Sequence, residues 1–213
     1  MCDHNMKTRI LLNSPMRVGS TYLGEILKDY FQMDWEFINE PTRANITESL
    51  DGGKLVKIHQ SDKFKTFPGA DICLTITRHP TFAVLSRVRF LVNRVMVEDK
   101  PAYPLETGFL DATRDIWEPK EKLDNRDAMA MVMRAPQVPR WYFRDLVLFG
   151  DADIRYNDLV RDPAGTLKPW CPDTERMTGI ALKYDKGIKP DPEPDKDSGM
   201  EKINLITHKL IYG

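Results

Sequence analysis

Cysteine is scarce in this chain. Its three copies, Cys2, Cys73 and Cys171, stand apart with no CxxC pair and no Cys/His ligand spacing, which argues against a disulfide framework and a zinc site. Long apolar runs are missing too: none approaches the roughly 20 residues a membrane-spanning helix needs. The opening Met1-Cys2-Asp3-His4-Asn5 has no apolar core of a secretory signal, so the expectation is a cytoplasmic protein without a membrane span. Nor is there an excess of charge of one sign. With 31 basic and 32 acidic residues the formal net charge is −1, which supplies no global field toward nucleic acid or anionic lipid, so any basic site must be local. Repeats and heptads are absent. What remains is 213 residues, 41% hydrophobic and 9% aromatic, enough for one sizeable core and read as a single domain over 1–213.

The most informative stretch is Ile10-Leu11-Leu12-Asn13-Ser14-Pro15-Met16-Arg17-Val18-Gly19-Ser20-Thr21-Tyr22-Leu23. An apolar run ends in a turn holding Pro15, Arg17 and Gly19, and Ser20-Thr21 then open an amphipathic segment to Phe31, a strand–loop–helix pattern. Such a loop makes an anion cradle. A helix N-terminus offers unpaired N–H groups and the positive end of its dipole, Gly19 permits close approach of backbone, two hydroxyls add donors and Arg17 adds charge. The plainer alternative is an ordinary strand-to-helix turn with Ser20 as N-cap. The Walker A spacing is missing, which disfavours a standard nucleotide triphosphatase.

Further along, Met33–Pro41 is a short apolar segment ending on Glu40 before Pro41, which stops a strand there. Residues 46–54 read as a helix end or loop, and Lys54–His59 as a strand placing Lys57 and His59 at its end. Asp71–Thr77 is another apolar β run, with Cys73 inside it as core. It is followed by Arg78-His79-Pro80 and a helix over about 81–97. Leu85, Val88, Leu91, Val92 and Val95 share one face of that helix, while Ser86, Arg87, Arg89 and Arg94 lie on the other side. Ser86 follows Arg78 by eight residues, about two helical turns, and a guanidinium and hydroxyl converging on one point would bind a phosphate. The alternative is a solvated basic helix face. Residues 98–126 are irregular and Pro-punctuated, a candidate acceptor lid with Tyr103, Phe109 and Trp117 as walls. Two helical stretches follow, 127–133 and 140–149, and Met129, Met131 and Met133 read as core filling. Ala152–Pro163 reads as a short strand and helix start, and 189–198, rich in Pro and Asp, as a mobile segment. In an open α/β sheet, ligands bind outside the carboxyl ends of the strands.

Several of these segments resemble the sulfotransferases. Arg17-Val18-Gly19-Ser20-Thr21-Tyr22 is similar to the family's 5′-phosphosulfate loop. Arg78-His79-Pro80 with Ser86 is similar to its 3′-phosphate motif, with His79 where the family has Asn or Asp. Arg155-Tyr156-Asn157-Asp158-Leu159 through Pro163 resembles its Arg-Tyr-Glu-Asp-Leu segment, with Asn157 in place of Glu. The resemblance implies a P-loop-like parallel sheet flanked by helices. It implies 3′-phosphoadenosine-5′-phosphosulfate (PAPS) as donor, with PAP as product, held by Arg17, Val18, Gly19, Ser20, Thr21, Tyr22, Arg78, Ser86 and Tyr156. Lys57-Ile58-His59 resembles the Lys-Thr-His of cytosolic members and implies His59 as base with Lys57 beside the transferring group. Phe37-Ile38-Asn39-Glu40-Pro41 looks like the carbohydrate sulfotransferases and implies Glu40 as base instead. An imidazole titrates near neutral pH, which favours His59. The acceptor would be a hydroxyl compound, a small molecule or a sugar, and no metal is expected. The C-terminal Arg-Lys-Gly loop of the family has only Lys186-Gly187 to match it.

Two other readings stand beside this one. A nucleotide or small-molecule kinase on the same core would need an acidic, metal-holding strand end, whereas this strand ends in Arg78. A non-catalytic phosphonucleotide-binding module would bind the nucleotide without turnover.

Overall fold

The computed structural model describes residues 8–59, 66–96, 104–118, 122–135, 152–185 and 187–192. They fall into two compact units, one formed by described residues 8–78 and 152–191, the other by residues 79–135 with 192.

The first unit is built on a parallel sheet. Its strands are β1 (Ile10–Asn13), β2 (Trp35–Ile38), β3 (Leu55–Ile58) and β4 (Ile72–Leu74), in the order β2-β3-β1-β4, every pairing parallel. All four residues of β1 and of β3 are buried, as strands covered on both faces must be. Helices α1 (Ser20–Phe31) and α2 (Arg43–Asp51) follow β1 and β2. Leu11, Ile38, Ile46, Leu50, Val56, Ile58 and Phe67 form one buried cluster, while Leu12 lies 3.8 Å from where a Cβ on Gly24 of α1 would sit. This is an α/β fold with a parallel sheet flanked by helices, as expected.

The run expected as one strand over 71–77 is divided. β5 (Ile76–Thr77) is separated from β4 by Thr75 alone and pairs in parallel with β6 (Ile154–Arg155). At the break the Thr75 N–H and hydroxyl both meet Asp153 Oδ2 at 2.8 Å, and the Asp153 N–H meets the Thr75 hydroxyl at 3.0 Å. A backbone N–H that would serve a ladder is thus taken by a side chain, which ends one pairing and starts the next. After β6 come α7 (Tyr156–Arg161), α8 (Pro163–Leu167) and α9 (Thr174–Tyr184), with α9 packed on α1. Burial pushes the half-buried Cys73 thiol up to about 11, with Asp153 adding to it, and the buried Cys171 thiol up to about 12, so both stay protonated at neutral pH.

The second unit contains α3 (Pro80–Met96), α4 (Pro104–Ala112), α5 (Arg114–Trp117) and α6 (Asn125–Arg134), and α6 packs on α3 and α5. Leu85, Val88, Leu91 and Val92 are buried, in line with their spacing. The alternative of a solvated basic face does not hold throughout: Ser86 and Arg87 are buried too, and Arg87 pairs at 2.5 Å with Glu106, buried on α4. The described part of 98–126 is helical over 104–112, 114–117 and 125–126, and Phe109 and Trp117 are buried rather than open walls, with Trp117 Nε1 donating to the Leu110 carbonyl at 2.9 Å. Met131 is core but Met133 is exposed. Tyr103 and the stretch 140–149 lie outside the described residues. Among the described residues no helix is long and apolar enough to cross a membrane.

Leu11 is wholly buried in a central strand. Leu11→Ala should therefore cost about 2–5 kcal/mol in urea unfolding, since both burial and packing are lost; a loss under about 1 kcal/mol would take Leu11 out of the core.

Candidate functional site

Because the sheet is parallel, the carboxyl ends of its strands lie at one edge, with Asn13, Ile38 and Ile58 in register. The segment after β1 carries the local geometry that sets the site. Ser14 and Pro15 are buried, and the backbone then turns left-handed at Arg17 (φ 66°) and again at Gly19 (φ 98°) before α1 begins. Gly19, not Ser20, is the N-cap, and no side chain caps this end. The first turn of α1 thus retains its dipole and donor groups for a ligand. Val18 is wholly buried, so it can offer only backbone. At the head of the loop Ser14 Oγ is buried with no hydrogen-bond partner among the described residues.

Glycine at 19 is required twice over. Its φ is one that L side chains rarely adopt, and a Cβ there would stand 2.6 Å from Tyr156 Cδ2. The Tyr156 ring therefore closes on the loop at that point. Its hydroxyl donates to the Lys189 carbonyl at 3.4 Å, and the Arg78 guanidinium lies 4.2 Å from its centroid.

Lys57, at the third position of β3, is buried and donates to Thr21 Oγ1 at 2.8 Å. Its Nζ also lies 5.2 Å from the Trp35 ring and 5.8 Å from that of Phe37. Burial, and after it the charge of Arg17, lowers the ammonium from its ordinary 10.5 to about 8, with Glu25 opposing. It stays largely protonated at pH 7. Two cations, Lys57 and Arg17, thus repel each other at the positive end of a helix dipole, a field that an anion would relieve.

His59 follows β3 directly. Its Nδ1 is 2.7 Å from the Ser14 carbonyl, and since a carbonyl can only accept, Nδ1 carries the proton and the basic lone pair of the neutral ring is on Nε2. Phe37, an exposed aromatic, sits with its centroid 5.1 Å from the imidazole. Glu40 is exposed two residues beyond β2, and its carbonyl accepts from Asn45 Nδ2 at 3.1 Å. Among the described residues its carboxylate makes no hydrogen bond or ion pair.

Tyr22, in the first turn of α1, borders a cavity of about 290 Å³ whose other walls come from α7, α8 and α9 and from the stretch after α9, with Val160, Pro163, Ala181 and Ile188 beside Arg161, Asp162, Thr178 and Asp185. Burial raises the Tyr22 phenol above its ordinary range, with Asp185 and Tyr156 adding to it.

Arg78, which directly follows β5, is already engaged. Nε donates to Asp191 Oδ2 at 2.7 Å, Nη2 donates to Asp191 Oδ1, and Nη1 donates to the Arg17 carbonyl at 3.2 Å. Asp191 is held in turn by Asn157, whose Nδ2 donates to the Asp191 carbonyl at 3.2 Å while its Oδ1 accepts the Asp191 N–H at 2.8 Å. The run 189–198 thus begins with an anchored carboxylate. Ser86 lies on α3 in the second unit.

Of the residues singled out in the sequence, Arg17, Gly19, Thr21, Lys57, His59, Arg78 and Tyr156 are joined by these contacts. Asp191, Phe37 and Ser14 were not foreseen. Only Phe37 left a signal, an aromatic one position before a strand's end. No protein-family model matches this chain, and no curated protein matches its sequence.

Two measurements test this geometry. Gly19→Ala should lose about 1–3 kcal/mol of stability from backbone strain and the displaced Tyr156 ring. Gly179→Ala, in the exposed middle of α9 with nothing within 4 Å, should gain about 0.5–1 kcal/mol; equal effects would deny the strain at Gly19. Lys57 gives a pH signature. Between about 8 and 10.5 the unfolded chain holds a proton on this amine that the folded chain has released, so its contribution to stability rises with pH across that window. Wild type minus Lys57→Met, followed by denaturant unfolding, should show that rise; a flat difference would place the amine in water.

Proposed function

We propose that this chain is a PAPS-dependent sulfotransferase on a P-loop-like core, transferring a sulfuryl group to an acceptor hydroxyl. The observation that carries the reading is the pairing of Lys57 with Thr21 at the uncapped N-terminus of α1, beside Arg17 and under the left-handed Gly19. Backbone donors, two hydroxyls and two cations fit the phosphosulfate end of the donor. The cavity beside Tyr22, next along the same helix turn, suits the nucleoside part, with one aromatic wall, apolar side chains and polar groups such as Thr178 and Asp185 for a base or ribose. Arg78 remains the candidate for the 3′-phosphate, with Ser86 as the second ligand implied by the family resemblance.

Bound PAPS would supply an activated sulfuryl group, its bridging S–O bond to the 5′-phosphate breaking as the acceptor oxygen bonds to sulfur. His59 Nε2 takes the acceptor proton, the tautomer being fixed by the Ser14 carbonyl. Lys57 and Arg17 offset the charge that develops on the departing phosphate oxygen, and the α1 N–H groups add to that field. Phe37, exposed beside His59, offers an acceptor a flat apolar surface. Glu40 is the second candidate base and, by its exposure, better suited to holding a sugar hydroxyl. A soluble carbohydrate or small alcohol is the acceptor class in view, and the cytoplasm the compartment.

The test is incubation with sulfate-labelled PAPS and a panel of sugars, phenols, alcohols and peptides, with and without EDTA. Transfer should occur and survive EDTA. His59→Ala should lower kcat by about 10²–10⁴-fold with PAP affinity nearly intact, and Glu40→Gln should act mainly on acceptor KM. Loss of turnover in Glu40→Gln with His59→Ala near wild type would reverse the two roles. Phosphoryl transfer from ATP that requires Mg²⁺ would replace the reading with the kinase, and PAP binding without turnover on any acceptor would replace it with the binding module.

A further inference from the structure

We propose that Asp191 is an internal ligand of Arg78 that a 3′-phosphate must displace, and that it thereby sets how strongly the site discriminates between nucleotides with and without that group. The inference rests on the reading of Arg78 as the 3′-phosphate ligand. It adds a specificity-determining residue from the far end of the described chain.

The geometry is that of a substitute anion. Arg78 presents its Nε and Nη2 edge to both oxygens of Asp191, the planar fork by which guanidinium groups also take phosphate. Both side chains are nearly buried, 11% and 7% exposed. Nη1 is committed to the Arg17 carbonyl, and the guanidinium lies over Tyr156. A phosphate reaching the Nε and Nη2 edge must take the carboxylate's place. Opening a buried ion pair without a replacement is costly, but a phosphate replaces one anion with another on the same cation, so exchange is far easier than simple opening.

Asp191 is also attached in a way that permits release. It lies beyond α9 in an irregular stretch of the described residues, with Gly187 at φ 73°. Apart from Arg78, its ties are neutral: two hydrogen bonds with Asn157 and the long Tyr156–Lys189 contact. A nucleotide without a 3′-phosphate has nothing to offer Arg78 and leaves the pair closed. For a 3′-phosphorylated one, apparent affinity is reduced by the fraction of molecules in which Asp191 still holds the guanidinium.

The probe ligands are 3′-phosphoadenosine 5′-phosphate and adenosine 5′-phosphate. Titration calorimetry on wild type and Asp191→Asn, which keeps the size and removes the charge, should show the first ligand binding about tenfold or more tightly in the variant and the second within about twofold. Amide exchange on the wild type gives an independent readout. The first ligand should raise exchange across 187–192, where the Asp191 N–H now rests on Asn157, and the second should not. If a folded Asp191→Asn binds 3′-phosphoadenosine 5′-phosphate no better than wild type, or if that ligand binds the wild type and leaves 187–192 unchanged, the inference is overturned while the donor reading stands. If wild type and variant bind neither nucleotide, the donor reading falls, and the inference with it. Should the variant not fold, exchange on the wild type decides alone: a rise supports displacement and no rise refutes it.

Discussion

Two left-handed residues, Arg17 and Gly19, are the constraint on which the rest of the site depends. A chain leaving a central strand must reverse direction within a few residues to pack a helix back on the sheet, and here it does so by holding one bulky residue and one glycine at positive φ. That geometry leaves the first turn of α1 uncapped by any side chain, sets Thr21 where Lys57 reaches it, and lets Tyr156 close on a backbone without a Cβ. Arg17 is the costly member, since glycine would adopt its conformation without strain. Its side chain is retained together with a charge that acts on Lys57, and its carbonyl is used by Arg78.

Each unit contains a nearly buried arginine–carboxylate pair, and the two are built differently. Arg87 and Glu106 both stand on helices, 19 residues apart, so the backbone of each partner is fixed by its own hydrogen-bond ladder. Arg78 meets a carboxylate 113 residues distant that belongs to no helix or strand. In a low-dielectric setting both pairs avoid the cost of a lone buried charge. In the second, one partner's backbone is held by no helix or strand ladder, which is the difference between a strut and a clasp.

Much of the first unit was legible in the sequence because its strands are short apolar runs buried on both faces and its first helix follows a glycine-bearing turn. β1, β3 and α3 fall close to where the pattern puts them, and the α/β class follows from the alternation. The interruption at Thr75 was not legible, because Thr is a good strand residue and the group that diverts its N–H, Asp153, is 78 positions away. α2 was half seen, since Gly52 and Gly53 mark its end clearly while Thr42 and Asn45, its capping box, do not announce themselves as E/Q boxes do. Arg87 illustrates a deeper limit. A charged residue on a helix is by default exposed, and only the facing Glu106 makes its burial tolerable. Asp191 carried no signal, because its meaning lies wholly in a partner that the sequence places elsewhere. Among the site residues, Lys57 and His59 were visible as a pattern at a strand end, but the tautomer of His59 depends on the Ser14 carbonyl and could come only from coordinates.

The join between Thr75 and Asp153 has a temporal side. The four-stranded sheet lies within residues 10–74, so it can assemble from about the leading third of the chain, whereas β5, in a separate two-stranded sheet, has no parallel partner until β6 has been made. During synthesis, which runs at about 5–20 residues per second, the Thr75 N–H and the edge beside it wait for several seconds while the intervening helices emerge. An unpaired edge in a nascent chain is an invitation to other strands. β5 is only two residues long, and a strand so short offers a competing chain very little ladder to bind while its own partner is still on the way.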